Sequence, residues 1–159
     1  DMQSREELLA YLEARNIPCK ATLKKIYSRD ANCLHISTEG GELENTWNAP
    51  SKNVWVWTTD PEDAPNTPET FELTIKKGIV TEINGEEMSP FKIIDTLNNI
   101  GARHGVGRID ITENRLVGMK SRGCYETPGG TIIYKAIRAI EQLVEDKSVR
   151  VFREHSAYL

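Results

Sequence analysis

Residues 101–127 contain the side chains of this sequence that are best suited to bind a small charged molecule. The stretch reads GARHGVGRIDITENRLVGMKSRGCYET and mixes carboxylates, cations and hydroxyls with five glycines. A zwitterion needs a carboxylate for its ammonium group, hydroxyls for its polar groups and cations for its anionic end. Glycines occur where the backbone has to approach a ligand closely. This mixture indicates a binding site for a small zwitterion rather than part of a hydrophobic core.

Four side chains are the candidates for such a site: Ser28, Ser37, Glu113 and Tyr125. Glu113 can pair with an ammonium group through a charge-assisted hydrogen bond, or it can belong to a structural ion pair. The possible partners in that ion pair are Arg108, Arg115 and Lys120. Tyr125 can bond a ligand or lie half-buried at the entry of a helix, and each serine can bind a ligand or act as a turn or cap hydroxyl. Residue type alone leaves both interpretations open.

Other ligand classes find little support in the sequence. Gly105-Val106-Gly107 lacks the third glycine of a dinucleotide fingerprint, and no Walker pattern is present. The histidines share no metal-ligand spacing with the three cysteines, so we expect no metal site. A formal charge of −4 without a basic face argues against nucleic acid, and no apolar run reaches the length of a membrane span. An odd cysteine count and the lack of a secretory signal favour the cytoplasm.

Local signals predict the elements that would position these residues. Helices are predicted over residues 4–15, after the Ser89-Pro90 cap, and from Thr127-Pro128 onward, with a linker or short strand at 18–26. Residues 71–75 and 79–83 are predicted strands that Lys77-Gly78 joins as a hairpin, and Asn84-Gly85 is predicted to form a second tight turn. Strands are also predicted at 54–57, 108–112 and 116–119, and a loop with a short helical turn at 27–37. Hairpins and helices without repeated βαβ units indicate an α+β fold with a mixed or antiparallel sheet.

Three long motifs resemble one known family. Residues 27–44 read YSRDANCLHISTEGGELE, residues 60–69 read DPEDAPNTPE, and residues 104–128 read HGVGRIDITENRLVGMKSRGCYETP. The whole sequence is similar to argininosuccinate synthases, in their C-terminal, substrate-holding part. The resemblance implies that Ser28, Ser37, Glu113 and Tyr125 bind citrulline. It assigns no catalytic nucleophile and no cofactor-binding or metal-binding residue to this stretch, and we interpret Arg108, Lys120 and Arg122 as structural pairing partners.

The resemblance also implies a domain organisation and an activity. Residues 1–20 correspond to the end of an N-terminal nucleotide-binding domain and a linker, and 21–159 to a synthetase domain truncated at its C-terminus; we therefore expect an excised fragment, inactive alone. The family joins citrulline to aspartate with ATP and Mg through a citrullyl-adenylate, in arginine biosynthesis, and acts as a cytoplasmic homotetramer. ATP would be bound mainly outside these residues. Two other hypotheses remain: a non-catalytic module for subunit assembly and a free-standing amino-acid binding domain.

Overall fold

Two antiparallel sheets and four helices make up the part of the chain that the computed structural model describes, residues 5–18 and 27–157. The strand orders are β1-β2-β7-β6 and β3-β4-β5. The strands are β1 (Ser28–Ala31), β2 (Ile36–Glu39), β3 (Leu73–Lys76), β4 (Ile79–Ile83), β5 (Glu86–Glu87), β6 (Arg108–Asn114) and β7 (Lys120–Glu126). The helices are α1 (Arg5–Ala14), α2 (Pro90–Arg103), α3 (Pro128–Val144) and α4 (Lys147–Ser156). The predicted α+β class is confirmed, and both sheets are antiparallel.

The smaller sheet follows the predicted turns. Lys77 and Gly78 have φ angles of 52° and 79°, and Asn84 and Gly85 have 51° and 79°. Two successive residues in the left-handed region form the tight turn that suits the twist of a hairpin. Strand β4 therefore pairs with β3 on one side and with β5 on the other.

Helix α2 covers the smaller sheet. It begins where predicted, because the Ser89 side chain accepts a hydrogen bond from the Lys92 amide and Pro90 follows as the first helical residue. Its apolar stripe packs on β4 and forms a buried cluster of Val80, Ile83, Ile93 and Leu97. Helix α1 ends at Ala14, and Asn16, just beyond it, has the φ of 53° expected of the predicted left-handed stop. The predicted cap at Ser4 and most of the predicted linker at 18–26 lie outside the described residues.

Helices α2 and α3 approach each other closely at a polar contact. The buried Asn98 side chain accepts a hydrogen bond from the Gly129 amide (2.9 Å) and donates one to the Cys33 carbonyl (2.8 Å). A Cβ on Gly129 would lie 2.7 Å from the Asn98 side-chain oxygen, so the contact requires glycine. Asn98 thereby ties the start of α3, just after β7, to the β1–β2 connection.

The prediction for residues 27–37 was wrong. They form a hairpin in which Ser28 lies opposite Glu39 and Ala31 lies opposite Ile36. Strand β1 reads SRDA and is exposed along its whole length, so it lacks the alternation of apolar and polar residues that marks a half-buried strand.

Two other predicted strands were also wrong. Val54 ends a 3-10 helix (Lys52–Val54) and residues 55–57 run as irregular backbone. Another 3-10 helix (Gly41–Glu44) lies nearby in sequence. Residues 116–119 belong to the turn between β6 and β7; β6 extends beyond the strand predicted at 108–112, and β7 was not predicted. The exposed apolar side chains of this turn made it resemble a strand; they are Leu116, Val117 and Met119.

Candidate functional site

One face of the four-stranded sheet carries all four candidate side chains. Residues directly opposite each other on neighbouring strands point to the same side of a sheet, as do alternate residues of one strand. The register pairs on this side, which we call the front face, are Ser28–Glu39, Ser37–Tyr125 and Ser121–Glu113. The residues that sequence analysis selected from distant positions are therefore neighbours on one surface.

Tyr125 and Glu113 contact each other directly on the front face. The Tyr125 hydroxyl donates a 2.8 Å hydrogen bond to Oε1 of Glu113. This bond, together with partial burial, raises the pKa of Tyr125 above its ordinary value, because ionised tyrosine could no longer donate to the carboxylate. The pair thus presents a carboxylate held in one orientation by a neutral donor, with Oε2 of Glu113 left for another partner.

Gly123 makes this contact possible. A Cβ on Gly123 would lie 2.9 Å from Cε2, Cζ and the hydroxyl oxygen of Tyr125, which is inside van der Waals contact. The Tyr125 ring therefore lies flat over Gly123 and reaches two residue rows along the sheet to Glu113. Sequence analysis assigned no role to Gly123. The available signal was its position two residues before Tyr125, which places the glycine on the same strand face as a long aromatic side chain.

Ser28 and Ser37 are strand residues, which excludes the turn or cap role that sequence analysis left open. Among the described residues, neither side-chain hydroxyl takes part in a hydrogen bond, so both can serve a ligand. Ser28 also lines a cavity of about 440 Å³ at the end of β2, together with Glu39 and Ser121. That volume lies in the range of small-molecule sites.

Arg115 brings a cation to the front face. Its guanidinium Nη2 donates to Oε2 of Glu39 at 3.2 Å and to the Ser121 hydroxyl at 3.1 Å. Because Ser121 lies directly opposite Glu113, the guanidinium is held beside the Tyr125–Glu113 pair. Arg115 and Glu39 both affect the ionisation of Tyr125, Arg115 lowering its pKa and Glu39 raising it.

No cation of the described part of the chain pairs with Glu113. The three cations that could have formed a structural ion pair with it all have other partners. Arg108 donates to the side chain and carbonyl of Thr58, Lys120 donates to the Asn114 side chain, and Arg115 pairs with Glu39. Arg122, on the opposite face, forms a two-pronged ion pair with Asp110, as interpreted from the sequence.

Glu126 is a structural residue that sequence analysis missed. It is 1% exposed, and its carboxylate accepts hydrogen bonds from the backbone amides of residues 56–58 and from the Thr58 hydroxyl, at 2.7–3.0 Å. These bonds hold the irregular segment against the back of β7, where Leu43, Val54 and Cys124 form a second buried cluster. Burial also raises the pKa of the Cys124 thiol to about 11. An acidic residue alternating with Cys124 on the apolar side of a strand was the signal.

The glycines at the α2–β6 connection serve packing. A Cβ on Gly105 would lie 2.9 Å from the Thr59 carbonyl oxygen, and one on Gly107 would lie 2.6 Å from the backbone of Thr127. The backbone that approaches each glycine belongs to this chain, so these glycines do not fit a phosphate cradle. Within residues 5–18 and 27–157, no group of three or more His, Cys, Asp and Glu side chains is placed to hold a metal ion, and no helix has the length and apolar character needed to cross a membrane.

Comparison with known proteins agrees with the resemblance seen in the motifs. Residues 27–158 match the family model described as Arginosuccinate synthase C-terminal domain. The argininosuccinate synthases of Aeromonas salmonicida (strain A449) and Vibrio parahaemolyticus serotype O3:K6 (strain RIMD 2210633) are each 66% identical to this chain over 154 residues. That of Aliivibrio fischeri (strain MJ11) is 65% identical over the same length. Each comparison covers 97% of this chain and 38% of the relative, so the chain spans well under half the length of these curated relatives.

Proposed function

This chain belongs to the argininosuccinate synthase family through its C-terminal domain, and from that membership we propose that it is the citrulline-holding part of a longer ligase. The ligase condenses citrulline with aspartate and converts ATP, bound with Mg, to AMP and pyrophosphate. In our proposal residues 1–20 end a nucleotide-binding domain and residues 21–159 belong to the synthetase domain. ATP is held mainly outside this chain, which agrees with the packing role of Gly105 and Gly107.

The observation that carries the proposal is the Tyr125–Glu113 pair on the open front face. Glu113 has no cationic partner among the described residues, and a carboxylate of this kind is suited to the α-ammonium group of an amino acid. Tyr125 orients the carboxylate, while the hydroxyls of Ser28 and Ser37 are available for the carboxylate or the ureido group of citrulline.

The proposed reaction requires positioning more than covalent help from the protein. The ureido oxygen of citrulline attacks the α-phosphate of ATP and expels pyrophosphate, which leaves an activated carbon in a citrullyl-adenylate. The amine of aspartate then attacks that carbon and AMP departs, giving argininosuccinate. A site that holds citrulline by its amino-acid end keeps the ureido oxygen in line with the phosphate, and such orientation contributes substantially to rate. Arginine biosynthesis in the cytoplasm is the role that we propose for the enzyme.

The apolar surface of α3 and α4 supports the proposed homo-oligomer, a tetramer in our proposal. Leu143 and Val144 at the end of α3 are 87% and 75% exposed, and Phe152 on α4 is 72% exposed. Apolar side chains that cluster on a surface in this way mark contacts between proteins. The same surface supports the alternative that this is a non-catalytic assembly module, and citrulline binding distinguishes the two functions.

Substitution of Glu113 in the full-length protein tests the proposal. Glu113→Gln keeps the shape and removes the charge, and a hydrogen bond to a charged group is worth roughly 1.5–3 kcal/mol. We expect citrulline affinity measured by calorimetry to fall about ten- to a hundredfold, with ATP affinity and melting temperature little changed. Glu82→Gln is a control away from the site: Glu82 also accepts a hydroxyl hydrogen bond across two strands, from Thr74 in the smaller sheet, although unlike Glu113 it pairs with a cation, Lys76.

Two results would contradict the proposed function. One is a large loss of melting temperature with citrulline affinity intact, which would make Glu113 a structural residue. The other is an equal loss of affinity for ATP and citrulline, which would indicate general damage. A protein that binds no citrulline at all while still assembling would favour the assembly module.

A further inference from the structure

We propose that Arg115 determines specificity, by neutralising Glu39 so that the site selects an amino acid with an uncharged side chain over one with a cationic side chain. The inference rests on the proposed function, since it concerns the same front face. It assigns roles to Arg115 and Glu39, two residues outside the set of four proposed to bind citrulline.

Three charges of the front face lie around the Tyr125 hydroxyl, while a fourth, the exposed Asp30, lies opposite Ser37 on the same face. Two carboxylates, Glu39 and Glu113, and one guanidinium, Arg115, lie close enough to it to influence its ionisation. Arg115 contacts Glu39 at 3.2 Å, whereas Glu113 accepts only the neutral Tyr125 hydroxyl among the described residues. The cluster therefore holds one compensated carboxylate and one uncompensated carboxylate, which matches a ligand with a single ammonium group.

A ligand bound at Glu113 passes Glu39 as it extends along the face. Glu39 lies opposite Ser28 on β1 and lines the same cavity as Ser28 and Ser121. Ser121 lies opposite Glu113, so the cavity opens beside the carboxylate that would bind the α-ammonium group. The other charged residues that line the cavity are Glu44, Lys120 and Arg122, and Arg122 is paired with Asp110. Because Arg115 offsets Glu39 from beside the cavity, the positive and negative charges around it balance in number, and a ureido group encounters little net charge. A guanidinium group on the same ligand skeleton would find no excess of negative charge there, because Lys120 and Arg115 balance Glu44 and Glu39 in number.

The Arg115–Glu39 ion pair is too exposed to be explained by stability alone. The two side chains are 50% and 39% exposed, and ion pairs of this kind contribute little to folding. The effect of the two charges on ligand affinity is larger than their contribution to folding, because a bound ligand excludes solvent from the pair and weakens the screening of both charges.

Affinities for citrulline and arginine test the proposal, because the two ligands differ only in a ureido group against a guanidinium group. In the full-length protein, we expect Arg115→Gln to shift the ratio of the two dissociation constants about fivefold toward arginine. Glu39→Gln leaves Arg115 unpaired and should shift the ratio in the opposite direction. The double variant has both charges removed and should return the ratio to near the wild-type value. If Arg115→Gln does not fold, the shift expected for Glu39→Gln still tests the proposal.

A matched control comes from another ion pair of the same exposure. Arg103 and Glu69 are 55% and 38% exposed and contact each other at 2.9 Å outside the front face. Arg103→Gln should leave the ratio unchanged. The proposal is overturned if Arg115→Gln weakens citrulline and arginine equally, since Arg115 would then bind the carboxylate that both ligands share or act only on the fold. An unchanged ratio in both single variants overturns it as well.

Failure of this proposal and failure of the proposed function give different results. If Glu113→Gln leaves citrulline affinity unchanged, the proposed function fails whatever the ratio does. If Glu113→Gln weakens citrulline while the Arg115 and Glu39 variants leave the ratio unchanged, the citrulline site stands and only the specificity role is lost.

Discussion

Gly123 lies beneath the Tyr125 ring. Replacing it by alanine should disturb the Tyr125–Glu113 contact while leaving the stability of the fold nearly unchanged. The added methyl group would be 2.9 Å from three atoms of Tyr125, whereas carbon atoms in contact prefer about 3.5–4.0 Å. The ring must therefore move by at least roughly 0.6 Å. Its hydroxyl now donates to Glu113 at 2.8 Å, and a hydrogen bond stretched by that amount is close to the limit at which it ceases to be one.

The backbone of the fold should tolerate the change. Gly123 lies within β7 and is not among the glycines with positive φ, so alanine can adopt its conformation. Replacing glycine by alanine at such a position stabilises a protein by about 0.4–1 kcal/mol through the unfolded chain, which offsets the cost of moving a half-buried ring. We expect the melting temperature of Gly123→Ala to stay close to that of the wild type.

The site should lose the contact that orients its carboxylate. We expect citrulline affinity in the full-length protein to fall about tenfold, which corresponds to 1.4 kcal/mol. The pKa of Tyr125 should fall toward its ordinary value, because its hydrogen bond to Glu113 is the main cause of the rise. Ultraviolet titration, taken as the difference from the Tyr125→Phe variant, measures that change.

A double-mutant cycle with Tyr125→Phe gives the refuting result. If Gly123 acts only through the Tyr125–Glu113 bond, the second substitution adds little to the first, because the bond is already lost. Additive losses of citrulline affinity would refute this reasoning, as would a Gly123→Ala protein in which the affinity and the tyrosine titration are both unchanged.

Two further predictions concern stability. Glu126→Ala leaves the amides of residues 56–58 without their acceptor, the Thr58 amide buried and the other two half-buried, so we expect the free energy of unfolding to fall by about 3–5 kcal/mol, visible as a lower denaturation midpoint. A loss under about 1 kcal/mol would contradict the anchoring role. The hydrogen bonds from Arg122 lower the pKa of Asp110 in the folded protein. The stability that ionised Asp110 contributes is therefore fully present above its pKa in the unfolded chain, about 3.9, and is lost as the pH falls through its lower pKa in the folded protein. The melting-temperature gap between wild type and Asp110→Asn should therefore close as the pH falls below about 4, and a gap independent of pH would refute this.

Elements with a local chemical cause were predictable from the sequence. Ser89-Pro90 caps α2, and Lys77-Gly78 and Asn84-Gly85 close the hairpins of the smaller sheet, because each signal acts within a few residues of itself. The family motifs also identified four side chains that prove to share one face. Those residues lie up to 97 positions apart, and only the register of four strands brings them together.

Elements held by distant partners were not predictable. Residues 54–57 alternate valine and tryptophan as a strand does, yet they do not pair as a strand, because the amides of residues 56–58 bind a carboxylate 68–70 residues away. The periodicity of a short segment contains no information about such a partner. The role of Gly123 could not be predicted from local sequence either, because it depends on the direction in which the Tyr125 side chain points.

The failed prediction at β1 and β2 has the same origin as the proposed site. A strand is recognised in sequence when one of its faces is apolar and buried, but the front face of β1 and β2 carries Ser28, Ser37 and Glu39, whose polar groups are available to a ligand or to Arg115. Polar side chains that have no partner within the fold weaken the strand pattern and at the same time provide the chemistry for binding. Local sequence rules are expected to fail at functional sites for this reason. In this chain, the hairpin that lacks a strand pattern supplies both hydroxyls proposed to bind citrulline and the carboxylate that Arg115 neutralises.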